Sequence, residues 1–155
     1  PIDAWIAAKC FGSFTHELSS IDAGKFKVII PGFHDLSLRY NQFETALSRA
    51  EMKRLLKATH VIAELRQRTH LVRFYTSITE DPAYKMRIMH HDCKMSNILL
   101  NVNTQEAIGP IDLDTVMCGF YFSDIGDLIR SMAGTVDENS TKWEAIDIRK
   151  DFYIP

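Results

Sequence analysis

No run of apolar residues in this 155-residue chain approaches the roughly 20 that a bilayer-spanning helix requires, and the first residues carry no signal-peptide pattern. No basic run appears either, and the formal net charge is −2, which argues against a dedicated nucleic-acid surface. Cysteine is scarce. Cys10, Cys93 and Cys118 are an odd number at no metal-ligating spacing, so reduced thiols in a cytoplasmic protein are expected. Internal repeats and low-complexity tracts are absent. What remains is an ordinary balance, 46% hydrophobic and 25% charged, which places the chain among soluble globular proteins. Its length fits one domain with a core of its own.

The most informative stretch is 89–114, MHHDCKMSNILLNVNTQEAIGPIDLD. Met86–Met89 reads as a short strand, and His90–Ser96 as a polar loop. Asn97–Leu100 is apolar and suited to a strand, and Asn101–Glu106 is a turn. Ala107–Ile111 runs back into the core and delivers Asp112 at its end. Two neighbouring strand ends then bring Asp92, Asn97 and Asp112 to one place. A carboxylate at Asp92 suits acceptance of a proton from a hydroxyl. Asn97 and Asp112 offer hard oxygen ligands of the kind that magnesium takes when it carries nucleotide phosphates. The bland alternative leaves all three as turn formers.

The spacing His90-x-Asp92-x-Lys94-x-x-Asn97 matches the catalytic loop of protein kinases and their relatives. Joined to Ile111-Asp112-Leu113-Asp114 and to Tyr121-Phe122-Ser123-Asp124-Ile125-Gly126-Asp127, it resembles the aminoglycoside phosphotransferase-like small-molecule kinases. Within that family the segment from the loop through IDLDTVM is most similar to the N-acetylhexosamine 1-kinases. The specific likeness covers about residues 89–130, and residues 1–88 are a looser match to the helical part of the same lobe.

The resemblance implies an α+β, mainly helical fold: the C-terminal catalytic lobe of a protein-kinase-like architecture, with a small β-hairpin region carrying the active site. It implies ATP and Mg2+ as cofactors and a small sugar or amino-sugar as substrate, with no nucleic-acid or membrane partner. Asp92 is expected as the catalytic base, with Asn97 and Asp112 on the metal. Lys94 is either a phosphate contact or a surface lysine. Asp114 either reaches the metal or acceptor or stays in water. His90 is expected to pack and fix the loop. Asp124 corresponds to a buried aspartate that steadies the loop, or is a carboxylate placed for the helix dipole. His91 stands where the family often has glycine, which bears on how closely an acceptor approaches the backbone. No glycine-rich loop and no strand lysine of the Val-Ala-Ile-Lys type precedes the loop. Residues 1–155 are therefore expected to be the catalytic lobe without its N-terminal nucleotide-binding lobe.

Around this stretch the chain reads as helices. Residues 3–20 carry a stripe of Ala4, Ala7, Phe11, Phe14 and Leu18, with Asp3 as a cap. Residues 25–31 read as a connector, and Asp35 caps a helix over 36–50. One helix is expected over 51–75, with Lys53, Arg54, Lys57, Arg66 and Arg68 on a charged face that is either a polyanion site or a solvated surface. Thr115–Phe122 reads as a loop, 124–134 as a helix with Ile125, Leu128, Ile129, Met132 and Ala133 inward, and 143–153 as the start of another. Cys93, next to Asp92, is either a reactive thiol or a small apolar filler.

Three other readings compete. His91-Asp92 with His60 or His70 and Asp112 is superficially similar to the metal set of HD-type phosphohydrolases, but those ligands sit mainly on helices. A protein kinase would carry Asp-Phe-Gly and Ala-Pro-Glu, which are missing. A kinase-like binding module without activity would not need the base and both metal ligands. Among small-molecule kinases, aminoglycoside, choline-like and homoserine-like acceptors stand beside N-acetylhexosamine.

Overall fold

A computed structural model describes residues 2–136 and 139–150. The chain forms two compact units, one of Pro1–Ile30 with Met86–Pro155 and the other of Pro31–Lys85. Among the described residues, five α-helices and two short antiparallel strand pairs make an α+β, mainly helical structure, as expected.

In the first unit, helix α1 (Ile2–Glu17) turns Ala7, Cys10 and Phe11 inward. Their spacing of three and four makes one helical face, which meets Cys93, Ile98 and Met132 in the core. Asp3 lies inside the first turn of α1, not ahead of it, so it is a dipole-favoured carboxylate and not the cap. Strand β1 (Arg87–Met89) buries Ile88 and Met89. Strands β2 (Ile98–Leu100) and β3 (Ala107–Pro110) form the anticipated hairpin, Ile98 opposite Pro110 and Leu99 opposite Gly109. The Asn101 side chain shapes its turn by accepting from the backbone N–H of Asn103 and Thr104.

The strand that the sequence hides is β4 (Met117–Gly119), which lies inside the stretch read as a loop. It pairs with β1, Met89 opposite Met117 and Arg87 opposite Gly119. Helix α5 (Tyr121–Ala133) begins three residues earlier than Asp124, straight after the extended Phe120. Asp124 thus falls within the first turn, facing the interior. Ile125, expected inside, is 48% exposed, and it lines an apolar cavity of about 610 Å3 between α1 and α5. Beyond α5 the expected helix over 143–153 is only a 3-10 turn at Trp143–Ala145. Extended backbone follows, because Thr135 N–H donates to Asp147 O and Arg149 N–H to Ala133 O. Residues 151–153 of that expected helix lie outside the described residues.

In the second unit, Asp35 caps helix α2 (Leu36–Arg49), its Oδ1 accepting the Leu38 N–H at 3.0 Å. The single helix expected over 51–75 is two, α3 (Met52–Gln67) and α4 (Thr69–Thr79). Between them Arg68, at φ −91° and ψ 11°, leaves the helical region and its N–H tightens onto Leu65 O and Arg66 O. Glu44 of α2 accepts two bonds from the Arg66 guanidinium of α3 and one from the Tyr40 hydroxyl. Arg66 and Arg68 pair with Glu44 and Glu64, while Lys53, Arg54 and Lys57 lie in solvent. The charged face of α3 is therefore partly neutralised by its own neighbours.

Candidate active site

Asp92 follows β1, in the loop that leads to a 3-10 turn at Met95–Asn97 and then β2. The turn points Asn97 back toward the start of the loop. Its amide Nδ2 donates to Asp92 Oδ2 at 2.8 Å and to the Asp92 carbonyl at 3.0 Å. Two acceptors at one end of the amide fix its orientation, so the nitrogen faces Asp92 and the oxygen faces away. Asn97 itself is 4% exposed.

Asp112 comes to the same place through the backbone of its neighbour. Ile111 N–H donates to Asn97 O at 2.9 Å, and Ile111 O lies 3.0 Å from His90 Nε2. The Asp92 N–H donates to His90 Nδ1 at 3.3 Å, so Nδ1 is the accepting nitrogen and Nε2 carries the proton. His90 thereby ties the Asp92 loop to the end of β3. It is fully buried, with Phe11 and Phe14 packed edge-on at ring separations of 5.1 and 5.8 Å. Asp112 sits in the left-handed region at φ 61°, uncommon for a side-chain-bearing residue and a frequent mark of functional positions. Asp112 and Asp114 are both exposed.

Lys94 Nζ lies 2.9 Å from Asp92 Oδ2, each side chain about a quarter exposed. Burial pushes the Asp92 carboxyl up, but hydrogen bonds from Lys94 and Asn97, with the Lys94 charge, outweigh it. They hold Asp92 below the usual carboxylate range. Asp124, 6% exposed, accepts the His90 N–H on Oδ2 and the His91 N–H on Oδ1. Cys93 is fully buried. Burial first, and the neighbouring Asp124 second, push its thiol far up, so it stays protonated and packs as an apolar filler.

The arrangement gathers Asp92, Lys94, Asn97 and the Asp112 turn around one loop, with His90 and Asp124 behind it. Two positions that the sequence reading passed over belong to it. Thr115 donates its hydroxyl to His90 O at 2.6 Å. Gly119 leaves room for the His91 ring, for a Cβ built there lies 2.6 Å from His91 Nε2. Neither pairing has a local sequence sign, because both form across the β1–β4 ladder.

Among the described residues no group of three or more His, Cys, Asp and Glu side chains stands ready to hold a metal ion. That donor set suits neither zinc nor a phosphohydrolase-type metal centre. Magnesium asks for less protein, one or two oxygen ligands with water and phosphate completing the shell. The exposed Asp112 carboxylate and the Asn97 amide oxygen, which is not engaged with Asp92, fit that requirement in donor type.

Residues 12–146 match the family model described as the phosphotransferase enzyme family.

Proposed function

The chain belongs to the phosphotransferase enzyme family, and from that premise we propose that it is the catalytic lobe of an ATP- and Mg2+-dependent kinase acting on a sugar hydroxyl, with N-acetylhexosamine as the acceptor. The observation that carries this reading is the Asp92–Asn97 contact beside the Asp112 turn. It joins the Asp92 carboxylate, the Asn97 amide and the strand end that leads to Asp112 in one hydrogen-bonded unit, which supports the reading. Asp112 and Asn97 would hold the Mg2+, which would supply positive charge against the nucleotide phosphates.

Asp92 orients the acceptor hydroxyl and takes its proton. It stays ionised because Lys94 and Asn97 stabilise the charge. In this reading Lys94, paired with Asp92 at 2.9 Å, exchanges that partner for the transferred phosphate. Leu99 lies opposite Gly109, and Ile111 follows two residues on, so the alternation of strand faces puts them on one side. They are 48% and 42% exposed, an apolar surface beside the metal ligands of the kind on which a flat base rests. The acceptor assignment rests on the likeness of IDLDTVM. A cytoplasmic setting is part of the same reading and is consistent with the three free cysteines.

An ATP-consumption screen of the full-length protein tests it, with N-acetylglucosamine, N-acetylgalactosamine, amino-sugar antibiotics and choline as acceptors. Turnover is expected with the N-acetylhexosamines, and Asp92→Asn lowers it about 10²–10⁴-fold without loss of folding. Turnover with another acceptor only would replace the substrate assignment. Near-normal turnover of the Asp92→Asn protein would remove the base.

A further inference from the structure

Asp112 is held in the left-handed region, at φ 61° and ψ 60°, as is His91 at φ 67°. An aspartate tolerates the left-handed region better than most residues but does not prefer it. Something must hold both sides of the turn. On the near side, Ile111 is fixed twice, through its N–H on Asn97 O at 2.9 Å and its carbonyl on His90 Nε2 at 3.0 Å. On the far side, a 3-10 turn over Leu113–Thr115 closes with Val116 N–H donating to Leu113 O at 3.1 Å. That bond is internal to the turn and fixes it to nothing else. The nearest tie to the rest of the site is the Thr115 hydroxyl, which donates to the His90 carbonyl at 2.6 Å; strand pairing with β1 takes over only at Met117.

We infer that Thr115 is a positioning residue: its hydroxyl, with the His90 ring, clamps the Ile111–Thr115 turn at both ends and sets the direction of the Asp112 carboxylate. One buried residue, His90, reaches the near end by its ring and the far end by its carbonyl. Its own N–H is held by Asp124, so the clamp has a fixed base. The β1–β4 register makes this possible. Met89 lies opposite Met117, so His90 and Thr115 stand just beyond the last paired residues. The Thr115 side chain thus adds one more cross-strand bond where the backbone ladder has ended. Loss of the hydroxyl leaves the far end held only by the β1–β4 pairing that begins two residues on at Met117, while the near end stays tied, and the strained residue between them gains freedom. The consequence for metal binding rests on the reading of Asp112 as a magnesium ligand, while the clamp itself does not.

The test compares full-length wild type with Thr115→Val, which keeps the shape, and Thr115→Ser, which keeps the hydroxyl. Calorimetric titration of ADP at stepped Mg2+ concentrations gives the metal needed for half-maximal binding. Hydrogen exchange without ligand follows the Val116 amide. Thr115→Val is expected to raise the half-saturating Mg2+ by about 10–100-fold, the effect usual for a group that orients a metal ligand, and to speed exchange at Val116. Thr115→Ser returns both toward wild type. A Thr115→Val protein with the wild-type Mg2+ response overturns the inference, even where exchange is faster, because the hydroxyl then only supports the fold. Wild type that binds no Mg2+–ADP overturns the functional reading instead. In that case unchanged exchange at Val116 in Thr115→Val still overturns the clamp, and faster exchange sustains it.

Discussion

The Oδ1 atom of Asp124 accepts the backbone N–H of His91 at 2.8 Å, and its Oδ2 accepts that of His90 at 2.9 Å. One carboxylate from the first turn of α5 thus holds two successive peptide groups of the loop that presents Asp92. Hydrogen bonds to a charged group are worth about 1.5–3 kcal/mol each. Asp124→Asn keeps one acceptor and turns an NH2 toward the other N–H, so a loss of about 1.5–3 kcal/mol is expected. Asp124→Ala strands both buried N–H groups and should lose more. Denaturant unfolding of the two variants checks the order, and equal stabilities would show that the two bonds are not both needed.

His91 and Gly119 form a matched pair. His91 lies at φ 67° with its ring 4% exposed, and the ring occupies the space where a side chain at 119 would begin. A buried ring has no room to step aside. Gly119→Ala is therefore expected to destabilise by about 1–3 kcal/mol through overpacking. In a His91→Gly background the obstruction is gone and glycine is at ease with the positive φ. The same alanine should then be nearly neutral there, a coupling of about 0.5–3 kcal/mol in a double-mutant cycle. Additive effects of the two substitutions would show that ring and glycine do not compete for the space.

Local chemistry made much of this site readable in advance. The β2–β3 hairpin was legible because apolar runs flank a polar turn, and the Asp35 cap because an acceptor precedes a helical pattern. The α3–α4 break was not, since the apolar spacing of Leu65, Thr69 and Val72 continues across Arg68 with no glycine or proline to mark it. Strand β4 is three residues long and owes its conformation to β1, far away in sequence. The segment 143–150 has a helix-like composition, yet Thr135 and Ala133 draw it into extended pairing. The spacing of Asp92 and Asn97 announced that the two would come together, as their hydrogen bond shows, but the places of Thr115 and Gly119 depend on a ladder register that no local pattern encodes.

Asp92 titrates low because Lys94 and Asn97 together outweigh burial. A carboxylate whose folded pKa is depressed adds stability that is fully present above its unfolded pKa and is lost as pH falls through the folded one. Lys94→Met removes the ammonium and leaves burial opposed by Asn97 and, more weakly, His90, so the Asp92 midpoint should rise. The acid-side contribution to stability should correspondingly fade at higher pH than in wild type. Carboxyl carbon NMR across an acid titration measures the midpoint directly, and the acid limb of the rate profile should move the same way. An unchanged midpoint in Lys94→Met would show that the 2.9 Å pair is not what holds Asp92 down.

Cys93 stands next to the proposed base, yet its surroundings oppose reaction. The thiol is fully buried among Ala7, Phe11, Ile98 and Met132. Burial raises its pKa most, and the Asp124 carboxylate raises it further by charge and by accepting its hydrogen bond. The thiolate is the reactive species, so a thiol held protonated is inert. Cys10 is also buried and raised, whereas Cys118 is half-exposed on β4. Iodoacetamide on the native protein should therefore label Cys118 first, with Cys10 and Cys93 labelled only after denaturant is added. Asp124→Ala should hasten labelling of Cys93, because it removes the neighbouring charge and loosens the loop together. Peptide mapping by mass spectrometry separates the three sites. Rapid native labelling of Cys93 would mean that the loop opens often enough to expose it, and the packing role assigned to this thiol would have to be given up.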